Sequence, residues 1–327
     1  MIVETVPEQS VLAALDLAGR APSVHNSQPW RWRLGRGSVH LYLDPWRWLP
    51  ATDPDCRDVL LSCGAALHHL TVALIASEIR PVVHRLPNPA EPDHLAAVEL
   101  GPGGFAAADI ALTSAIARRR TDRRRFDDWP VPAGFLDALV SGAARYGALL
   151  RKVGDGEQRR LLAAAIDYAA VEQETKPGYP SEIAYWSGRH TGPDGVPVGN
   201  VPYPGDAAAA LPMRRWADGE LAQPVLSTDG AMILALGTSS DDRLSQLRAG
   251  EAASLLLLLA TELGLATSVL SQPLEVPATR RLVRDGVLDG TMCPQLIIRV
   301  GWPPAGAPAI PATPRRPLAD ALERVRD

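Results

Sequence analysis

A dense run of arginines is the feature that most restricts how this 327-residue chain can fold. Six of the eight residues from Arg118 to Arg125 are arginine, and only Thr121 and Asp122 interrupt them. Guanidinium groups this close repel one another, so the fold must either leave them in water or give them an anionic partner. The run alone is compatible with a solvated basic face, a phosphate-binding segment or a nucleic-acid patch.

The composition narrows these possibilities. The whole chain has a formal net charge of −4, so the basic run is a local feature, which argues against a nucleic-acid partner. Cys56, Cys63 and Cys293 are scattered and fit neither a disulfide framework nor a paired metal motif. The N-terminus lacks the pattern of a signal peptide, and Glu262 interrupts the leucine run 255–259 too soon for a membrane span. We therefore expect a cytoplasmic protein without a membrane partner.

The hydrophobic periodicity predicts helices alternating with short strands. Predicted helices cover about residues 8–20, 54–79, 112–119, 133–146, 157–174, 242–263 and 277–284. Predicted strands cover about residues 30–34, 39–43, 82–83, 95–100, 149–153, 231–236 and 295–300, and 265–270 is either a connector or a strand. Since the second half of the helix at 242–263 is apolar nearly all round, we expect that helix to be central and buried.

Residues 176–224, called the cover segment below, break this pattern. The segment is rich in proline and glycine, and a loop of this length inside a domain is usually functional or disordered. Disordered segments are poor in aromatic residues. This one contains five, namely Tyr179, Tyr185, Trp186, Tyr203 and Trp216. We interpret it as an ordered cover packed against another part of the protein.

Several common catalytic signatures are missing from the sequence. The glycines at 101–104 include a proline and do not follow a strand that opens a helix, and neither a P-loop nor a nucleophile elbow is present. His68 and His69 are adjacent and cannot both reach one metal ion from a helix, so we predict no metal site. Cys63 lies on an apolar stripe and is expected in the core.

Five segments carry a resemblance to a known family. The segment Ala21–Trp30, APSVHNSQPW, resembles the APS-x-x-N-x-QPW segment of the FMN-dependent nitroreductases. Arg119–Arg123 resembles that family's R-x-[ST]-x-[RK] phosphate-binding motif. Residues 250–265 and 294–302 resemble its central helix and last core strand, and Arg315-Arg316 its C-terminal basic contact. The order resembles the Acg-like branch, in which the APS segment comes first.

This order implies an internal duplication. The resemblance predicts an α+β, nitroreductase-like fold of two fused halves, each with a mainly antiparallel sheet flanked by helices. Residues 1–105 would form the first half and residues 106–327 the second, with the cover segment as a lid-like insertion. The unit 8–34 would correspond to 133–153, which lacks the APS residues. One flavin site is then expected between the halves, in a monomeric pseudo-dimer or a weak homodimer of bacterial origin.

The resemblance also implies which residues bind the cofactor. Those expected to line the isoalloxazine ring are Pro22, Ser23, Asn26, Ser271 and Gln272. Those expected to hold the phosphate or the ribityl chain are Arg119, Thr121, Arg123, Arg315 and Arg316. Arginine forks suit a phosphate, and amide and hydroxyl groups suit the polar edge of a flavin. Gln28 and Trp30 are expected to be structural, and Asp122 to orient guanidinium groups.

Two functions remain open from the sequence. The first is an FMN-binding oxidoreductase that transfers hydride from NAD(P)H through FMN to a small-molecule acceptor such as a nitroaromatic or a quinone. In that reading the flavin carries the chemistry and no side chain is an essential acid or base. The second is a non-catalytic flavin-sequestering or sensing protein, in which the cover segment lies over the FMN and excludes the nicotinamide.

Overall fold

The computed structural model of the protein describes residues 6–103, 107–203, 211–216, 218–223, 226 and 228–324. The helices are α1 (Glu8–Ala18), α2 (Arg57–Ala76), α3 (Ala107–Arg118), α4 (Ala133–Ala144), α5 (Glu157–Thr175), α6 (Tyr179–Trp186), α7 (Arg243–Glu262), α8 (Gln272–Glu275) and α9 (Pro277–Leu282). The strands are β1 (Trp30–Gly35), β2 (Ser38–Leu43), β3 (Ile79–Arg85), β4 (His94–Pro102), β5 (Leu149–Lys152), β6 (Met232–Thr238), β7 (Ala266–Leu270), β8 (Cys293–Gly301) and β9 (Leu322–Arg324).

The strands form two separate, mainly antiparallel sheets. The first sheet has the order β3-β4-β2-β1-β9, and the second has the order β5-β6-β8-β7. Every pairing is antiparallel except that of β1 with β9. In β2 the buried residues alternate with half-buried ones, whereas nearly all of β8 is buried because it lies at the centre of its sheet. The α+β prediction, with a mainly antiparallel sheet in each half, is confirmed.

The two longest central helices, α2 and α7, join the halves by a close crossing. A Cβ atom added at Gly64 would lie 2.1 Å from the carbonyl oxygen of Leu247, and one added at Gly250 would lie 2.1 Å from that of Leu61. Gly64 and Gly250 each lie seven residues after the first residue of their helix. Only glycine permits this backbone approach, and the contacts repeat on both helices as expected of two related halves.

Polar contacts reinforce the crossing. The Nδ1 atom of His68 lies 2.7 Å from the Ser254 hydroxyl, and Arg85 donates two hydrogen bonds of 2.7 and 2.8 Å to buried Glu251. Burial lowers the pKa of His68 to about 3, so its imidazole is neutral. Cys63 is fully buried, and burial raises the pKa of its thiol. The core position expected for Cys63 is confirmed.

The central position of both helices agrees with their composition. The buried location predicted for residues 242–263 is confirmed in α7, which is buried along most of its length. Among the described helices, α2 is long and apolar enough to cross a membrane by length and composition alone, but most of it is buried inside the fold. Burial of this kind is typical of the core helix of a folded domain.

The C-terminal segment crosses from the second sheet back to the first. After β8 the chain runs to β9, where Leu322 pairs with Trp32 of β1. The Trp32 amide also donates a 2.7 Å hydrogen bond to the Ala321 carbonyl. The predicted boundary between the halves, at 105/106, lies outside the described residues and stays a prediction.

Most of the predicted elements are confirmed within a few residues, including the 30–43 hairpin and β7. The sequence missed α6, α8 and β9. Helix α6 lies in the cover segment and starts with Pro180 in its first turn, where proline is tolerated. Strand β9 has three residues and is held by its pairing with β1, which a local pattern cannot reveal.

The crossing predicts a large cost for adding one methyl group. We expect Gly64→Ala and Gly250→Ala each to lower the free energy of unfolding by about 3 kcal/mol, because the helices must separate to relieve the contact. Gly134→Ala in α4 is the matched control, since its Cβ would meet no atom within 4 Å. It should be neutral or slightly stabilising. Urea unfolding measures all three, and equal midpoints for Gly64→Ala and Gly134→Ala would contradict the close packing.

Candidate functional site

The APS segment is a strained loop held against α2. His25, Asn26 and Gln28 have positive φ angles of 46°, 55° and 52°, a conformation that costs free energy for residues with side chains. The Ser62 hydroxyl accepts a 3.1 Å hydrogen bond from the Val24 amide, and the Ser23 hydroxyl accepts one of 3.0 Å from the Gln28 amide. The loop is therefore fixed in one shape where α2 begins to cross α7.

A cavity with about 990 Å³ of empty space, part of it open to solvent, lies where the two halves meet. We call it the central cavity. Its wall combines the APS loop, the first turns of α2, part of α7, the β7–α8 connection and the end of the cover segment. Both polar and apolar side chains line it, among them Pro22, Ser23, His25, Asp58, Thr121, Arg123, Arg214, Trp216, Leu257, Ser268, Ser271, Gln272 and Leu296. Neither half forms this cavity alone.

The arginine run is mostly folded into the protein rather than exposed as a basic face. Arg124 forms two hydrogen bonds of 2.8 and 3.0 Å with the carboxylate of Asp122, and both residues are buried. Asp122 therefore orients a guanidinium group, as predicted. The Arg123 guanidinium donates a 3.0 Å hydrogen bond to the Asn200 carbonyl and lies 5.1 Å above the Trp216 ring. Arg118, at the end of α3, is the exposed member and pairs with Glu262.

Five arginines line a second cavity, which we call the basic cavity. These are Arg20, Arg119, Arg120, Arg315 and Arg316. In the part of the chain that the structure describes, Arg119, Arg120 and Arg315 form no ion pair with a carboxylate. The buried Nε atoms of Arg119 and Arg315 have no hydrogen-bond partner there. This excess of positive charge is the property of an anion site.

The pKa values of these guanidinium groups are lowered, as expected for an excess of positive charge. Burial, together with the charge of Arg120, lowers the pKa of Arg119 to about 10. Burial and the neighbouring charges of Arg119, Arg120 and Arg20 lower the pKa of Arg315 to about 9. Both groups remain cationic at neutral pH. An anion bound among them would relieve the repulsion, so the cluster is built for a negatively charged ligand.

The cover segment is anchored to the APS loop at its tip. Asn26 Nδ2 donates a 3.0 Å hydrogen bond to the Gly195 carbonyl, and Gln28 Nε2 donates one of 2.9 Å to the Pro193 carbonyl. Arg47 forms a 2.6 Å ion pair with Asp194 between them. Farther along the segment, Trp216 packs edge-on against His25 with ring centroids 5.2 Å apart. The segment thereby forms one wall of the central cavity.

The structure brings most of the predicted site residues together in two groups. Pro22, Ser23, Thr121, Arg123, Ser271 and Gln272 line the central cavity. Arg119, Arg315 and Arg316 line the basic cavity. Arg119 lines the basic cavity, and Thr121 and Arg123, two and four residues later, line the central cavity, so the arginine run contributes to both.

The placement of Asn26 corrects the sequence expectation for that residue. Asn26 is not among the residues that line the central cavity. Its Nδ2 instead bonds the Gly195 carbonyl at 3.0 Å and the Pro314 carbonyl at 3.2 Å, tying the cover and C-terminal segments to the loop. The structural roles expected for Gln28 and Trp30 are confirmed, because both are almost fully buried.

Several lining residues were missed by sequence reasoning. Arg20 directly precedes the APS segment and His25 lies within it, so their positions in the sequence were a usable signal. Arg214 and Trp216 lie in the irregular cover segment. Its composition predicts that the segment packs against the protein but does not identify the residues that it contacts. Asp58 and Ser268 come from α2 and β7, and only the fold brings them to the cavity.

Comparison with known proteins agrees with the site. The chain is 45% identical over 318 residues, 96% of this chain and 91% of the other, to a Mycobacterium tuberculosis protein named "Putative NAD(P)H nitroreductase Rv3131". This degree of identity over nearly the whole length shows that the chain belongs to the nitroreductase family. It lies in the branch of the M. tuberculosis protein named "Putative NAD(P)H nitroreductase acg", to which it is 35% identical over 97% of this chain and 96% of the other. No protein-family model matches the sequence.

Solved structures of nitroreductases align with part of the chain. The FMN-dependent nitroreductase NfnB from Mycobacterium smegmatis, in complex with NADPH, has a TM-score of 0.42 and 17% identity, covering 67% of this chain and all of that one. A nitroreductase with bound FMN from Bacteroides fragilis has a TM-score of 0.39 and 14% identity, covering 60% of this chain and 90% of that one. Both scores are too low to support a conclusion by themselves.

The anchor of the cover segment can be tested directly. We expect Asp194→Asn to speed hydrogen exchange of the Gly195 and Val196 amides about tenfold, because the variant loses a partly buried ion pair worth about 1 kcal/mol. Hydrogen-exchange mass spectrometry of this peptide makes the measurement. The control is Asp285→Asn, which breaks an exposed pair with Arg284 far along the chain. Equal exchange in both variants would show that Asp194 does not anchor the segment.

Proposed function

We propose that this protein is an FMN-dependent NAD(P)H oxidoreductase of the nitroreductase type. The observation that carries the proposal is a cluster of arginines, of which Arg119, Arg120 and Arg315 have no carboxylate partner among the described residues, in a run that continues along the chain into the wall of the central cavity. A flavin mononucleotide has matching parts, a flat ring and a dianionic phosphate. The relatives named as NAD(P)H nitroreductases support the same activity.

The basic cavity fits the phosphate of FMN. Arg119 and Arg315 each have a buried Nε without a partner among the described residues, and a phosphate oxygen is a suitable acceptor for both. Arg20 and Arg120 add charge to the same cavity. Arg316 is less available, because its Nη1 already donates to the Gln28 carbonyl at 3.2 Å and its Nη2 to the Asp320 carbonyl at 2.6 Å.

The central cavity fits the isoalloxazine ring. Its wall offers apolar side chains such as Leu257 and Leu296. The Ser268 hydroxyl and the Gln272 Oε1 atom are buried there without a partner among the described residues. Flavin rings present apolar faces and a polar edge of carbonyls and ring nitrogens, so this wall is complementary to them. When bound, FMN would supply hydride transfer from NAD(P)H to a small-molecule acceptor such as a nitroaromatic or a quinone.

The side chains of this chain then bind and shield rather than react. Thr121 and Arg123 line the central cavity two and four residues after Arg119 and would orient the connecting chain of the cofactor. Trp216, held beneath Arg123 and against His25, would limit the access of water to the ring. The non-catalytic alternative, in which the cover segment sequesters the flavin, is not favoured by the relatives, whose names state an NAD(P)H-dependent activity.

The proposal includes the organisation and the location of the protein. We propose two fused halves, residues 1–105 and 106–327, that hold one FMN in a monomeric pseudo-dimer or a weak homodimer. The repeated glycine contacts of α2 and α7 support the duplication. We further propose a cytoplasmic location, with no membrane or nucleic-acid partner, in keeping with a net charge of −4.

The phosphate assignment predicts selective loss of FMN. Arg119→Ala combined with Arg315→Ala should weaken FMN binding at least about 100-fold, because two charge-assisted contacts are removed. The fold should persist, since neither side chain neutralises an acidic group. Arg118→Ala, in the same run but paired outside the cavity with Glu262, should bind FMN normally. Equilibrium dialysis of FMN measures both variants, and retention of the yellow colour by the double variant would refute the assignment.

The activity is tested by anaerobic titration of the FMN-loaded protein with NADPH and with NADH. An oxidoreductase should lose its oxidised-flavin absorbance within seconds of mixing with one or both nucleotides. Dithionite is the control, because it reduces flavin without a nucleotide site. A protein that dithionite bleaches but that neither nucleotide bleaches would favour sequestration over catalysis. The stoichiometry of bound FMN, expected to be one per chain, comes from the same sample.

A further inference from the structure

Asp58 presents an unexplained carboxyl group at the central cavity. It is the second residue of α2 and lines the cavity directly. Its side chain is buried, and Oδ2 has no hydrogen-bond partner among the described residues. A buried carboxyl group without a partner costs free energy, and the cost is far larger for the ionised form than for the neutral one. No contact within the described part of the protein compensates the cost of burying the Asp58 carboxyl group.

Two other buried carboxyl groups lie near Asp58, and both have donors of their own. Asp53 accepts hydrogen bonds of 2.8 and 2.9 Å from the amides of Arg57 and Val59 at the start of α2. Glu275 in α8 accepts one of 2.7 Å from the Ser271 hydroxyl and one from the guanidinium of Arg214. The carboxyl groups of Asp53 and Glu275 therefore both have hydrogen-bond donors.

The two nearby guanidinium groups are already engaged elsewhere. Arg57 pairs with Asp241 and donates a 3.0 Å hydrogen bond to Gln295. Arg214 pairs with Glu275 and with the Tyr179 hydroxyl. Neither donates a hydrogen bond to Asp58. Three carboxyl groups thus compete for two cations, and Asp58 is the one left without a donor.

The charges around Asp58 also disfavour its ionised form. Burial, and then the charges of Asp53 and Glu275, raise the pKa of Asp58 well above its usual value, and Arg57 and Arg214 offset this only in part. The pKa of Asp53 is itself raised to about 6, chiefly by burial. The other charged or titratable groups that line the cavity are Arg123 and His25, and burial lowers the pKa of His25 so that its imidazole is neutral. Burial and the neighbouring carboxyl groups therefore favour the protonated form of Asp58.

We propose that Asp58 is a neutral carboxylic acid in the folded protein and donates a hydrogen bond to an acceptor atom of the ring that occupies the central cavity. This inference rests on the proposed function, which supplies FMN as that ligand. The carbonyl oxygens and unprotonated nitrogens of an isoalloxazine accept hydrogen bonds from a neutral acid and are repelled by a carboxylate. Asp58 is therefore a binding residue whose protonation selects a ring rich in acceptors.

The inference predicts that FMN affinity depends on pH with a definite sign. The binding-competent form of Asp58 is the protonated one, so the affinity is highest below its raised pKa and falls as the pH rises through that value. Above that pKa the affinity should fall by up to about tenfold per pH unit. An asparagine at this position offers an amide donor of nearly the same shape and does not titrate, so it should remove the dependence.

The experiment compares the wild-type apoprotein with Asp58→Asn. FMN is titrated into each protein from about pH 5 to about pH 9, and the dissociation constant is obtained from flavin fluorescence quenching. We expect the wild-type affinity to fall at least about tenfold over this range and the variant to change about threefold or less. Titration of the FMN phosphate and of the arginines is common to both proteins and cancels in the comparison.

Infrared spectroscopy of the wild-type protein supplies an independent measurement. At neutral pH we expect the carbonyl stretch of a protonated carboxylic acid, which shifts when FMN is added and is absent from Asp58→Asn. If both proteins bind FMN with the same pH profile, or if the wild type lacks the band, the role of Asp58 is refuted and the proposed function stands. If neither protein binds FMN at any pH, the proposed function fails, and this role of Asp58 fails with it.

Discussion

The close crossing of α2 and α7 is the contact on which the rest of the structure depends. Gly64 and Gly250 let two helix backbones approach until either Cβ would overlap a carbonyl oxygen. This approach joins the two sheets through one helical layer and sets the first turns of α2 against the first turns of α7. Residues of both helices line the central cavity, so a change in the separation of the helices would alter the width of that cavity.

The site then combines one contribution from each half. The first half supplies the APS loop and the start of α2, and the second supplies the arginine run and the β7–α8 connection. The C-terminal segment completes the basic cavity with Arg315 before pairing with the first sheet. Because the residues of the central cavity come from distant parts of the chain, the candidate site forms only when these parts pack together.

The two cavities differ in the charges of the residues around them. The basic cavity has an excess of cations that repel one another, as the lowered pKa values of Arg119 and Arg315 indicate. At the central cavity, Asp58 lies near two further carboxyl groups, those of Asp53 and Glu275, and near the guanidinium groups of Arg57 and Arg214. A ligand with an anionic end and a neutral, acceptor-rich body is complementary to both. The affinity of the protein for such a ligand should depend on protonation within the site.

Sequence reasoning recovered the two motifs, the antiparallel sheets and most element boundaries, because these depend on local periodicity and on short contiguous segments. It left the arginine run open between a solvated face and a binding segment. The structure resolves part of that question, since Arg124 forms a buried pair with Asp122 whereas Arg118 stays exposed. The burial of the arginine run depends on which segments pack over it. Here these are the C-terminal segment and the cover segment.

By itself, the sequence determined the class of fold, the family and the residues that could hold a phosphate. Only the tertiary structure decided that Asn26 ties the cover segment to the APS loop, and that Asp58 reaches the central cavity with no donor to its Oδ2 atom among the described residues. Local patterns record which face of a helix is apolar. They do not record which distant donors are already engaged, and the state of a buried polar group depends on those donors.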